Sequence, residues 1–210
     1  MKNLYSLILS DEVIKRIDTV AQASGTNRSN LINQILADYV SYTTPEKRIQ
    51  DILMKINEYL SNTEAIISNE MNGCSLSLKT ALDYKYRPTV KYCVELYRNN
   101  SESIGELKVL YRINSQELLY NITRFFEIII SVEEKLIGKK VYYEVSPGRF
   151  VRQFIIPDTL AYSYHETARA IGDYVKNFDA IMKKFLSGKY TSITHLENDY
   201  KIYLSKSILI

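Results

Sequence analysis

Chain breakers are scarce in this sequence: of 210 residues, 7 are glycine and 4 are proline. Punctuation this sparse favours long regular elements over loops. Cysteine is equally thin. Cys74 and Cys93 show no metal-like spacing, suit a reducing cytoplasm, and are expected to pack as small core residues. The two histidines, His165 and His195, lie 30 positions apart without nearby ligand partners, so no metal site is expected. No apolar run approaches the roughly 20 residues needed to span a bilayer. The stretch Leu4–Leu9 is too short for a signal-peptide core and lacks a cleavage site. A soluble, cytoplasmic protein with no membrane partner is the expectation. No Gly-rich phosphate loop and no Gly-x-Ser-x-Gly elbow occur. His165-Glu166 opens no two-histidine zinc motif, because Arg169 stands four positions after His165. No catalytic residue, metal or cofactor is therefore expected, and the chain does not read as an enzyme.

What is present is ordinary globular material: 46% apolar and 24% charged residues exclude a disordered chain. The 18 tyrosines, with many Ile, Lys and Asn, fit an AT-rich coding bias and carry no functional weight by themselves. Net charge is +3, too mild to mark a strong nucleic-acid binder. Residues 1–44 balance to zero, with Lys2, Lys15, Arg16 and Arg28 against Asp11, Glu12, Asp18 and Asp38. Any contact with DNA there must come from a few placed groups.

The first 44 residues have a distinct pattern. Leu4–Leu9 is a short apolar run that reads as a strand. Ser10 can cap a helix whose first turn holds Asp11 and Glu12, the charges a helix N-terminus favours. Val13, Ile14, Ile17, Val20 and Ala21 follow at helical spacing, and Gly25 stops the helix. Asn27 can cap a second helix with the stripe Leu31, Ile32, Ile35, Leu36, Tyr39 and Val40. A single strand with two short helices leaves backbone groups unpaired and buries little. Pairing the strand with its twin from a second copy resolves both problems, so a homodimer is expected.

The segment Tyr5–Val13, Ile17 and the stretch Gly25–Ile32 resemble the ribbon-helix-helix family of DNA-binding repressors, over roughly a fifth of the chain. The resemblance implies a two-stranded antiparallel ribbon in the major groove of double-stranded DNA, with the start of the second helix on a phosphate. Carried over by position, the groove face is Leu4, Ser6 and Ile8, and the core face Tyr5, Leu7 and Leu9. The phosphate clamp is the amides of Arg28 and Ser29, helped by the Ser29 and Asn30 side chains and held by Asn27. The implied function is transcription regulation. Leu4 and Ile8 depart from the polar groove face usual in the family. Two explanations stay open. Readout is weak or A·T-biased, with Ser6 and Lys2 supplying the polar contacts, or the ribbon dimerises and packs on something else. A one-residue slip would expose Asn3 and Tyr5 instead, but it would bury Ser6.

The remainder reads as an α+β domain with a mostly antiparallel sheet. Residues 45–72 read as a connecting helix, running to about Asn69, with a Thr43/Glu46 capping box. Alternation predicts strands over Cys74–Tyr84, Val90–Leu96 and Leu107–Ile113, with Asn99–Gly105 as a turn. An Asn114/Glu117 capping box precedes a helix stopped by Gly138. Val141–Val145 and Phe150–Ile156 form a hairpin around Ser146-Pro147-Gly148-Arg149. Asp158 opens a long helix ending near Gly188, and Thr194 with Glu197 caps a last one. Glu133-Glu134-Lys135 reads as a surface charge run and His165-Glu166 as a solvated helix face. Tyr142, Tyr143, Tyr162 and Tyr164 read as core rather than as a ligand pocket or a base-stacking surface. Region 73–210 leaves open a small-molecule or protein partner. The leading reading is a ribbon-helix-helix regulator. The alternative is an interaction adaptor, such as a plasmid-segregation or mobile-element factor, in which the ribbon mainly dimerises.

Overall fold

The computed structural model describes residues 4–61, 66–98, 103–155 and 163–210. Lys2, Asn3, most of the turn from Asn99, Ile156, Asp158 and Tyr162 lie outside the described residues. The chain divides into two compact units, Met1–Lys47 and Arg48–Ile210.

The first unit holds α1 (Asp11–Ala23), α2 (Arg28–Tyr39) and the first residues of α3 (Pro45–Ser61). Gly25 closes α1 at φ +62°, where the Thr26 amide donates to the Ala21 carbonyl and the Gly25 amide to that of Gln22. This paired closure satisfies the carbonyls that a helix end leaves orphaned. The end of α2 repeats it with Ser41 at φ 56°: Tyr42 donates to Ala37 and Ser41 to Asp38. The predicted Thr43/Glu46 capping box is off by one residue. Pro45 takes the first helical position, which suits its missing N–H, and Thr44 is the cap, accepting from the Lys47 amide at 3.2 Å.

The second unit is a six-stranded sheet with four helices on one face. Its strands are β1 (Ile66–Asn72), β2 (Ser75–Ala81), β3 (Thr89–Leu96), β4 (Gly105–Tyr111), β5 (Tyr143–Ser146) and β6 (Arg149–Phe154), in spatial order β1-β2-β3-β4-β6-β5. Every pairing is antiparallel. Alternation sets the layers. Leu76, Leu78, Val90, Tyr92, Val94, Leu107, Val109, Phe150 and Phe154 join one core with α3, α4 (Gln116–Ile137), α5 (Tyr164–Leu186) and α6 (Ile193–Leu204). Phe126 of α4 stacks on Phe150 of β6 at 4.5 Å, and Phe178 of α5 packs on both Phe126 and Phe150. Gly172 on α5 lies where a Cβ would come within 2.7 Å of the Tyr59 ring on α3, and Tyr59 donates its hydroxyl to Asp173 at 2.6 Å. No helix among the described residues is long and apolar enough to cross a membrane.

The predicted α+β class with an antiparallel sheet is what the structure has, with several local corrections. The helix expected over 45–72 ends at Ser61, and 66–72 is an edge strand. Ile52, Ile56, Leu60 and Ile67 continue a helical spacing, but β1 pairs with β2 through the Asn72–Ser75 turn, and those ladder bonds are the alternative outlet for its backbone groups. The cap of α4 is Ser115, accepting from the Leu118 amide, rather than Asn114. Ser163 and Glu166 form the capping box of α5, and His165 and Glu166 are exposed in its first turn, as expected of a solvated helix face. Ser192 caps α6 in place of Thr194, and Glu197 pairs with Lys135 at 2.9 Å. Glu133 is not part of a surface charge run. It is fully buried, because it continues the inward stripe of α4 through Phe126 and Ile129.

Candidate nucleic-acid interface

The start of α2 has the geometry of an anion site. Asn27, in extended conformation, accepts the Asn30 amide on its side-chain oxygen at 2.9 Å. The Leu31 amide goes to the Asn27 carbonyl. The amides of Arg28 and Ser29 have no acceptor among the described residues, and they sit at the positive end of the helix. The first turn of α2 holds no acid, whereas α1 fills its own with Asp11 and Glu12. Ser29 and Asn30 are exposed.

Arg28 itself is occupied. Its guanidinium grips Asp18 of α1 through two bonds, Nε–Oδ1 at 2.7 Å and Nη2–Oδ2 at 2.5 Å. The hydrogen bond from Arg28 pulls the Asp18 carboxyl below its usual range, and the Arg28 proton is held correspondingly tighter. The pair straps α1 to α2 across the Gly25 turn, leaving the Arg28 amide, not its side chain, for an anion. Sequence reading missed Asp18, because nothing in the spacing of residues 18 and 28 shows that the hairpin brings them together.

The segment ahead of α1 is open. Among the described residues, Leu4–Leu9 makes no backbone hydrogen bond, and no strand forms within the single chain. Leu4 and Ile8 are fully exposed, at 98% and 103%, while Tyr5, Leu7 and Leu9 fall to 79%, 60% and 38%. The odd-numbered residues thus face the hairpin side more than the even ones. Ser10 occupies the cap position of α1 in extended conformation but makes no side-chain cap bond. No hydrogen bond or ion pair joins Leu4, Ser6 or Ile8 to the Asn27–Asn30 turn. The two halves of the predicted site are therefore separately placed, not one assembled surface of a single chain.

The hairpin buries little. Its buried hydrophobic residues are Ala21 and Ala37, while Val13, Val20, Ile35, Leu36, Tyr39 and Val40 stay exposed. Fully burying a side chain of this kind is worth roughly 1.5–3 kcal/mol.

The tyrosines weighed as a ligand surface do not gather into one. Tyr142 is exposed, Tyr164 accepts a hydrogen bond from Arg48, and Tyr143 donates to Glu133 at 2.7 Å. Glu133 also accepts from Tyr174 at 2.8 Å and from Arg152 at 3.1 Å, and the Arg152 guanidinium lies 4.3 Å from the centre of the Tyr174 ring. Burial, then the Glu133 charge, pushes both phenols well above the usual tyrosine range. The cluster is a buried ion pair joined through Arg152 Nε, while the buried Nη1 of Arg152 has no hydrogen-bond partner among the described residues. Among the described residues no group of three metal-ligating side chains occurs. The chain matches no protein-family model, no curated protein and no solved structure.

Proposed function

We propose that the chain is a ribbon-helix-helix DNA-binding protein, a homodimeric transcriptional regulator working in the cytoplasm. In this reading Leu4–Leu9 of two copies pair as an antiparallel ribbon on double-stranded DNA, and the Arg28 and Ser29 amides bind a backbone phosphate on each side. The observation that carries it is the coincidence, on one hairpin, of an acid-free helix start with two unclaimed amides and an apolar stripe that the chain leaves unburied. The first needs an anion and the second needs a twin. The larger unit then senses a small molecule or recruits a protein.

The test is a fluorescence anisotropy titration of the full chain against genomic duplex fragments, with light scattering for the oligomer. Dimers that bind duplex DNA with strong salt dependence are expected, and Ser29→Glu, which puts an acid against the phosphate, should weaken that binding and reduce its salt slope. A monomer, or binding indifferent to Ser29→Glu, rejects the reading. The full exposure of Leu4 and Ile8 favours a second reading, in which the ribbon dimerises an adaptor and docks on a protein. Under it, Leu4→Ser with Ile8→Ser leaves DNA affinity unchanged and removes a protein contact.

A further inference from the structure

The sheet of the second unit has a face that none of α3–α6 covers, because all four pack with the opposite, apolar face. Its outward residues are Ser75, Ser77 and Lys79 on β2, Thr89, Lys91, Cys93 and Glu95 on β3, and Glu106, Lys108 and Leu110 on β4. Charge is segregated along it. Toward the β3–β4 turn, Lys108 lies between Glu95 at 2.5 Å and Glu106 at 2.8 Å, a self-neutralised group. Burial is outweighed by the bonds from Lys108 and Tyr97 and by the nearby cations, which hold the Glu106 carboxyl below its ordinary range.

The other end is different. The ladder sets Lys79 directly opposite Lys91, Lys91 opposite Leu110, and Leu110 opposite Arg149. Three cations thus lie on one line across four strands, a span of about 14 Å at the usual strand spacing. Arg112 extends the patch two residues beyond Leu110, and Lys79, Lys91, Leu110 and Arg112 line a shallow depression of about 470 Å³. Arg149 has a distant partner, Glu144 at 3.8 Å, and its buried Nε has none. Lys79, Lys91 and Arg112 have no acidic partner among the described residues, and all three are exposed. The adjoining loop between β2 and β3 adds Lys85 and Arg87 against Asp83.

Like charges set directly opposite destabilise a sheet. At the other end of the same face the fold places acids around its lysine; here it leaves the lysines to repel each other. A row of cations in which only Arg149 has an acid nearby matches the regular anionic charge of a nucleic-acid backbone. We propose that this face of β2, β3, β4 and β6 binds the phosphate backbone of a nucleic acid, through Lys79, Lys91, Arg112 and Arg149. This surface is separate from the α2 site and does not depend on it.

The test uses the full chain, with labelled single-stranded and duplex oligonucleotides titrated across a salt series. In Lys79→Gln/Lys91→Gln/Arg112→Gln the slope of log affinity against log salt should shrink by about 2–3, at roughly 0.7–0.9 per lost phosphate contact. Thermal unfolding without nucleic acid separates function from structure: Lys91→Glu should raise Tm by relieving the repulsion while weakening binding. Ser29→Glu should leave the contribution of the sheet to the slope in place, so failure of the α2 site and failure of this one are distinguishable. An unchanged slope in the triple variant overturns the proposal. So does equal competition by polyglutamate at matched charge, which would mark an acidic protein surface as the partner.

Discussion

The two units use apolar residues in opposite ways. In Arg48–Ile210 the large side chains of four helices and one sheet face close on each other, and even the buried charges Glu133 and Arg152 find partners. In Met1–Lys47 the large side chains of both helical stripes stay partly or wholly exposed, and alanines fill the seam between the helices. The contrast separates a unit that buries its own apolar residues from one that leaves most of its own exposed in the single chain. Under the proposed function a second copy covers that exposed stripe, which makes the oligomeric state the quantity to measure.

The largest test of the contrast removes a charge from the self-sufficient unit. Glu133→Ala leaves Arg152 buried and unpaired and should destabilise the second unit by about 3–5 kcal/mol, read as a lower urea midpoint. An unchanged midpoint would mean that the core does not need its ion pair. Next, Leu7→Asp places a carboxylate on the less exposed side of the N-terminal segment. It should weaken dimerisation by at least about tenfold, or ~1.4 kcal/mol, in light scattering over a dilution series, with the urea midpoint of the second unit unchanged. Asn27→Ala deletes the α2 cap and should cost about 1 kcal/mol of helix stability, seen as faster amide exchange in Arg28–Leu31. Equal exchange in the two proteins would show that the cap does not hold the start of α2.

The smallest effect is one of pH. Asp18 is held below its ordinary value of 3.8 by Arg28, so its contribution is present above that value and is lost as the pH falls through the lower, folded value. The exposed strap should loosen only at strongly acid pH, followed by the side-chain NMR shift of Asp18. Asp18→Asn should abolish that titration and slightly increase exchange across the α1–α2 turn at neutral pH.

Much of the framework was legible where the sequence carries strong local signals. Gly25 and Gly138 end their helices at positive φ, Asn27 caps α2, and Pro147-Gly148 turns the β5–β6 hairpin. Misplaced starts came from runs with several capping residues in a row: Thr43-Thr44, Asn114-Ser115 and Ser192-Ile193-Thr194. There the choice rests on backbone fit that a pattern does not encode. The strand β1 hid behind residues that happen to continue a helical period. Burial of Glu133 was readable from its place on the inward stripe of α4, but its charge argued the other way until Arg152 stood opposite. Of the candidate sites, the amide end of α2 follows from one local cap. The row on the open sheet face needed strand register, which links residues as distant as Lys79 and Arg149 and leaves no local trace.

Gly172 has a consequence of another kind. A glycine inside a helix costs roughly 1 kcal/mol against alanine, yet here the added methyl would strike the Tyr59 ring. Positions 59 and 172 are thus one choice made twice. When relatives of this chain are collected, the two columns should covary, with a side chain appearing at 172 only where the ring at 59 has given way to something smaller.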